Sequence, residues 1–157
     1  NNMINNIPNL ITLSGMIIVL YSLYMYYKTS DVYYIVLCCI GFTCDYFDGV
    51  VARTYNMSSS FGNILDKLVD KINQIALLTI LMLKFNISPV YIYLYIQREV
   101  IMFIMRKNNM KSVNSSFYGK LKTFLFPLTI ILFHSKSNFQ YIYLNILTIF
   151  NYITLLV

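Results

Sequence analysis

Long apolar runs separated by short polar connections make up nearly the whole chain. Each run is about as long as the roughly 20 residues that a helix needs to cross a bilayer. The connections are short and rich in Ser and Asn, which is typical of loops. The pattern predicts an all-α integral membrane protein with about six transmembrane helices. The six runs cover residues 7–27, 32–51, 64–83, 89–105, 117–133 and 139–156.

The composition agrees with a membrane protein and excludes most soluble classes. Of 157 residues, 58% are hydrophobic and 11% are charged, whereas soluble domains average about 25% charged residues. This length predicts a single membrane domain over residues 1–157. The net charge of +6 is scattered between apolar runs, so we expect contact with membrane lipids and no nucleic acid. Three cysteines in one apolar run are expected to be free packing residues: Cys38, Cys39 and Cys44.

The basic residues are divided unevenly among the connections. The first, third and fifth connections carry one lysine each, which are Lys28, Lys84 and Lys136. The second and fourth carry more positive charge, and the positive-inside rule places them on the cytoplasmic-type face together with both termini. The cations in or just beyond these two connections are Arg53, Arg106, Lys107, Lys111, Lys120 and Lys122.

Four of the six acidic residues lie within residues 45–70. Asp45 and Asp48 close the second run at a spacing of three, and Asp66 and Asp70 open the third at a spacing of four. Each pair therefore shares one helix face, and the connection brings the two helix ends together. Four carboxylates at close range repel each other, so we expect divalent cations among them. Two such ions could clamp a pyrophosphate and its attacking oxygen.

The residues between these carboxylates suit a phosphate ligand. Gly49, Ala52 and Gly62 allow a ligand or a helix to approach closely, and Arg53 offers a forked donor to phosphate. The alternative is that the aspartates cap helices or pair with nearby lysines. That alternative explains a single aspartate, but carboxylates inside membrane-length apolar segments are costly and usually functional.

The complete spacing resembles the signature of the CDP-alcohol phosphotransferase family. The chain reads Asp, two residues, Asp-Gly, two residues, Ala-Arg, eight residues, Gly, three residues, Asp, three residues, Asp over residues 45–70. The segment "NIPNLITL" before the first run is similar to the family's N-terminal entry, so the resemblance covers essentially the whole chain. It implies a six-helix membrane enzyme, commonly a homodimer, that transfers the phosphatidyl group of a CDP-linked lipid to an alcohol and releases CMP.

The resemblance also implies a role for each signature residue. Asp45, Asp48, Asp66 and Asp70 would hold two Mg²⁺ or Mn²⁺ ions at the cytoplasmic-type face. Asp70 would in addition be the general base that takes the proton of the acceptor hydroxyl. The CDP-binding site, which would hold the CDP part of the donor CDP-diacylglycerol, would be shaped by Asp45, Gly49, Ala52, Arg53, Gly62 and Asp66.

Further motifs bear on the alcohol acceptor. Arg98-Glu99, "GKLKT" at 119–123 and "DKLVDK" at 66–71 resemble the phosphatidylglycerophosphate synthase branch, which implies glycerol 3-phosphate. Its phosphate needs further cations, although the same residues also serve as ordinary positive-inside charges. The candidates are Arg106, Lys107, Lys111, Lys120 and Lys122.

Several alternatives stay open from the sequence. Bacterial synthases of this branch commonly have an arginine where this chain has Ser14-Gly15. Cardiolipin synthase and phosphatidylinositol synthase are the alternatives within the family, and Arg98-Glu99 is alternatively a structural intramembrane pair. Two further alternatives involve no phosphatidyl transfer. One is a divalent-cation transporter, and the other is a family member that has the binding site but does not catalyse the reaction.

Overall fold

The computed structural model describes the backbone of residues 7–54, 60–107, 117–136 and 138–156. Within these ranges it describes the side chains of residues 9–44, 62, 64–105, 125–136 and 138–153. These ranges form six α-helices and contain no strand. The all-α prediction is therefore confirmed. In chain order the helices are α1 Ile7–Thr29, α2 Val32–Thr54, α3 Ser60–Phe85, α4 Val90–Lys107, α5 Phe117–His134 and α6 Gln140–Leu156.

The helix ends extend beyond some of the apolar runs. α2 continues to Thr54 and α3 begins at Ser60, so the backbone at Arg53 and Gly62 is helical. The prediction that these two residues lie in the connecting loop was wrong. The prediction for Arg106 and Lys107 was wrong for the same reason, because α4 ends at Lys107. Arg and Lys are good helix formers, so a helix can continue through charged residues after its apolar run has ended.

Three of the connections contain a residue in the left-handed region. Ser30, Asn86 and Lys136 have φ angles of 64°, 52° and 51°, respectively. After α1, the Ser30 amide donates to the Tyr26 carbonyl at 3.0 Å, which satisfies a carbonyl of the last turn. A left-handed residue at this position ends a helix abruptly, which explains how such short connections are sufficient.

The chain divides into two compact units, Asn1–Ile80 and Leu81–Val157. The prediction of one domain over residues 1–157 stays a prediction. In the first unit α1 packs along α2, with Val19, Leu23, Cys38 and Phe42 buried. A Cβ added at Gly41 would lie 2.5 Å from Val19 Cγ2 and 3.2 Å from the carbonyl oxygen of Gly15. Only a residue without a side chain allows the two backbones to approach this closely.

In the second unit α6 packs against both α4 and α5. Buried aromatic and aliphatic side chains form its core, including Phe126, Ile130, Phe133 and Leu144. The ring of Phe126 meets that of Tyr95 edge to face at 5.7 Å between centroids, a favourable arrangement for aromatic pairs.

Many large apolar side chains lie on the protein surface. Tyr93, Phe103 and Ile142 are each more than half exposed. Among the residues whose side chains are described, the stretch Asn9–Thr29 is long and apolar enough to cross a membrane. Val32–Cys44 and Leu125–His134 are shorter apolar helical stretches. Free cysteines lie at positions 38, 39 and 44, with Cys38 buried, in agreement with the predicted packing role.

Candidate active site

The signature residues are divided between the end of α2 and the start of α3. Asp45, Asp48, Gly49, Ala52 and Arg53 all belong to the last three turns of α2. Their backbone is helical, as expected, whereas their side chains lie outside the described residues. How these five side chains meet the aspartates of α3 therefore remains a prediction.

The α3 part of the signature follows a single helix face. Gly62, Asp66 and Asp70 are spaced by four residues in an unbroken helix, so they follow one another along about 12 Å of the axis. All three residues are partly buried, and each makes at least one interaction within the protein. The predicted alignment of Asp66 and Asp70 on one face is confirmed.

Further along α3, this face carries buried amide side chains and then buried leucines. Val69 is buried beside the aspartates, and Asn73 and Gln74 are buried one turn further along. Leu77 and Leu81 continue the buried stripe. Sequence reasoning missed Asn73, although it lies seven residues after Asp66 and therefore in the same helical register.

Asn73 differs from the other buried polar residues of this face. Its side chain is fully buried, and neither Nδ2 nor Oδ1 has a hydrogen-bond partner. Buried carboxamides are nearly always hydrogen-bonded, because leaving the amide unsatisfied costs free energy. A fully buried amide without a partner, next to two carboxylates, is a candidate ligand-binding group.

Asp66 and Asp70 are chemically suited to hold a divalent cation. Both offer hard carboxylate oxygens, which Mg²⁺ and Mn²⁺ prefer. Within the described side chains, no group of three or more His, Cys, Asp or Glu residues converges. The other two predicted ligands, Asp45 and Asp48, are not among those side chains. The donor set on α3 fits the cation, and metal binding stays a prediction.

The cations predicted to bind the acceptor phosphate lie around the connection between α4 and α5. Arg106 and Lys107 end α4, while Lys120 and Lys122 belong to the first two turns of α5. Lys111 and the side chains of the other four lie outside the described residues. Their predicted role in phosphate binding therefore remains untested.

Arg98 is buried, is paired with the partly buried Glu99, and links two helices. Arg98 Nη1 forms a salt bridge with Glu99 Oε1 at 2.5 Å, and Arg98 Nε donates to the Asn151 carbonyl at 3.1 Å. The pair thereby attaches α4 to α6. This geometry favours the interpretation as a structural intramembrane pair.

The signature residues thus lie on two helices, with Asp66 and Asp70 aligned on one face of α3. The family model for CDP-alcohol phosphatidyltransferase matches residues 5–157, and the chain belongs to this family. The resemblance seen in the signature is therefore confirmed. The protein is a transferase, and this assignment decides against the divalent-cation transporter.

Curated relatives cover most of the chain. A protein of Rickettsia typhi is 30% identical over 149 residues, covering 90% of this chain and 83% of its own length. A protein of Aquifex aeolicus is 32% identical and covers 97% of this chain and 90% of its own length. A third, from Wigglesworthia glossinidia brevipalpis, is 31% identical, with 92% and 85% covered. All three are named CDP-diacylglycerol–glycerol-3-phosphate 3-phosphatidyltransferase.

Proposed function

We propose that this protein transfers the phosphatidyl group of CDP-diacylglycerol to glycerol 3-phosphate and releases CMP. The observation that carries the proposal is the complete signature, with Asp66 and Asp70 aligned on one partly buried face of α3. The names of the curated relatives support this choice of acceptor. The same names disfavour cardiolipin synthase and phosphatidylinositol synthase.

The proposed setting is a multi-pass membrane protein with its active site at the cytoplasmic-type face. Six helices of 17 to 26 residues support this arrangement, since about 20 residues cross a bilayer. The exposed apolar side chains would face lipid. The positive charge at the end of α2 and around the connection between α4 and α5 supports the orientation. We also expect a homodimer, on the resemblance to the family alone.

The proposed chemistry is a displacement at the phosphorus that carries diacylglycerol. The hydroxyl oxygen of glycerol 3-phosphate forms a bond to this phosphorus, and the bond from phosphorus to the bridging oxygen of CMP breaks. The electron pair leaves with CMP. Asp70 accepts the hydroxyl proton, a role that requires its carboxylate within hydrogen-bond reach of the hydroxyl. Bound Mg²⁺ or Mn²⁺ would neutralise the pyrophosphate charge and improve CMP as a leaving group.

Cations near the site would select an anionic alcohol. Arginine and lysine bind phosphate strongly through charge-assisted hydrogen bonds. Glycerol 3-phosphate carries a phosphate that inositol and serine lack, so a basic cluster favours it over them. The cluster that we propose consists of Arg106, Lys107, Lys111, Lys120 and Lys122.

The direct test measures CMP release by the purified protein in detergent with CDP-diacylglycerol and Mg²⁺. Glycerol 3-phosphate, inositol, serine and phosphatidylglycerol are supplied separately. We expect release with glycerol 3-phosphate and little with the others. Release with a different acceptor would correct the substrate. Binding of the CDP-lipid without release for any acceptor would contradict the proposal and favour a relative without turnover.

Replacing Asp70 tests the proposed base. We expect Asp70→Asn to lower CMP release by roughly 10²–10⁴-fold, the usual contribution of a general base, while CDP-diacylglycerol still binds. Asp31→Asn is the matched control, because Asp31 is exposed in the connection between α1 and α2 and should leave the rate unchanged. Full turnover by the Asp70 variant would refute the role.

A further inference from the structure

The fully buried carboxamide of Asn73 is not used by the proposed chemistry. Neither of its polar atoms has a hydrogen-bond partner, and its neighbours along the buried face are Val69 and Leu77. A leucine would fill this register without leaving a polar group unsatisfied. A ligand that reaches this carboxamide would supply the hydrogen bond that the protein does not.

Asn73 is placed to meet a ligand that also meets the aspartates. It follows Asp66 by seven residues and Asp70 by three in one continuous helix, so the three lie within about 60° of one another around the axis. Asn73 is about 4.5 Å further along the axis than Asp70. In the proposed orientation α3 runs from the cytoplasmic-type face into the membrane, so Asn73 lies on the lipid side of the carboxylates.

At the depth of Asn73, the proposed donor substrate would offer its ester carbonyls as hydrogen-bond acceptors. Its pyrophosphate would lie at the carboxylates, and its nucleotide would lie toward the cytoplasmic-type face. On the lipid side, the pyrophosphate is followed by a glycerol backbone and two fatty-acid esters. An ester carbonyl accepts hydrogen bonds and cannot donate one, so its partner must be a donor. The Nδ2 group of Asn73 is such a donor.

We propose that Asn73 Nδ2 donates a hydrogen bond to an ester carbonyl of CDP-diacylglycerol. The inference rests on the proposed function and identifies a part of the lipid that the signature does not contact. The hydrogen bond would form in a buried, apolar setting, where it is strengthened. Asn73 then makes the site selective for an ester-linked lipid over an ether-linked lipid, which has no carbonyl at this position.

The test compares two CDP-lipids of equal chain length, one diester and one diether, in detergent with Mg²⁺. Binding is measured by lipid-induced thermal stabilisation, without an acceptor. We expect the wild-type protein to bind the diester about 5-fold more tightly, the effect of one neutral hydrogen bond. The Asn73→Leu variant should bind the two lipids about equally, a ratio of about 1. The reason is that its affinity for the diester falls while its affinity for the diether is unchanged.

Asn151→Leu is the matched control, because it also replaces a buried asparagine by leucine. The Nδ2 group of Asn151 donates to the Leu147 carbonyl within α6, so this variant should keep the diester preference. Asn73→Ala also removes the donor and serves if Asn73→Leu does not fold. It should lose the preference in the same way.

Two results would overturn the inference. One is a wild-type protein that binds both lipids equally, and the other is an Asn73 variant that keeps the diester preference. CMP release measured in parallel separates this inference from the proposed function. Diester-selective binding that depends on Asn73, with no release for any acceptor, would refute the proposed function and support the Asn73 contact.

Discussion

The two compact units hold their helices together in different ways. In the first, α1 and α2 approach closely where Gly41 faces Gly15 and Val19. In the second, side-chain hydrogen bonds cross between helices, as from Arg98 to the Asn151 carbonyl and from Tyr152 to the Leu94 carbonyl. The first unit also has a side-chain hydrogen bond between its helices, from Ser22 of α1 to Cys38 of α2. Among the described residues, the close backbone approach at Gly41 is therefore what distinguishes the first unit from the second.

Two buried asparagines, one in each unit, differ in the hydrogen bonding of their side-chain amide groups. Asn151 in the second unit donates from Nδ2 to the Leu147 carbonyl at 3.1 Å, and its backbone carbonyl accepts from Arg98 Nε. Asn73 in the first unit is equally buried, but its carboxamide has no hydrogen-bond partner. The Asn151 amide group is used within α6, whereas the Asn73 carboxamide is the group that we propose binds the lipid ester.

The largest expected effect on stability comes from breaking the ion pair of the second unit. Glu99→Leu leaves the buried Arg98 guanidinium without its carboxylate, so we expect the free energy of unfolding to fall by about 3–5 kcal/mol. Unfolding in detergent with increasing denaturant measures it. The double variant Arg98→Leu/Glu99→Leu should recover most of the loss, because an apolar pair is often tolerated. A Glu99 variant as stable as wild type would show that the pair is not structural.

The next largest effect tests the close approach of α1 and α2 in the first unit. Gly41→Ala places a Cβ 2.5 Å from Val19 Cγ2 and 3.2 Å from the Val19 amide nitrogen. The β-branched valine has little rotamer freedom to move away, so we expect a loss of about 1–3 kcal/mol in the free energy of unfolding. The same substitution in a Val19→Ala background should cost less. If Gly41→Ala lowers the free energy of unfolding equally in both backgrounds, Val19 does not limit how closely α1 and α2 approach.

The sequence predicted the helices well because apolar runs of membrane length carry a strong signal. All six runs became helices, and the first starts at Ile7 as predicted. The ends were less predictable, since charged residues such as Arg53 and Lys107 continue a helix without extending its apolar run. The register of Asp66 and Asp70 followed directly from their spacing, because both lie in one unbroken helix.

The contacts that depend on tertiary structure could not be read from the sequence. Arg98 bonds to a backbone carbonyl 53 residues away, and every residue has such a carbonyl, so no residue type marks the acceptor. Gly41 is one of five glycines, and only the neighbouring helix shows that it permits a close approach. The seven-residue spacing from Asp66 could have indicated that Asn73 lies on the same helix face. The spacing alone could not show that its side-chain amide has no hydrogen-bond partner.

The smallest effect measures one polar link of the second unit. Tyr143 Oη donates to the Leu125 carbonyl at 2.8 Å and thereby joins α6 to α5. Tyr143→Phe removes this bond, so we expect a loss of about 0.5–1.5 kcal/mol in the free energy of unfolding in detergent. Tyr141→Phe is the matched control, because Tyr141 lies on the same helix with its side chain exposed, and it should cost almost nothing. Equal losses for the two variants would mean that this link adds no stability, and the described polar links between α4 and α6, such as those of Arg98 and Tyr152, would remain.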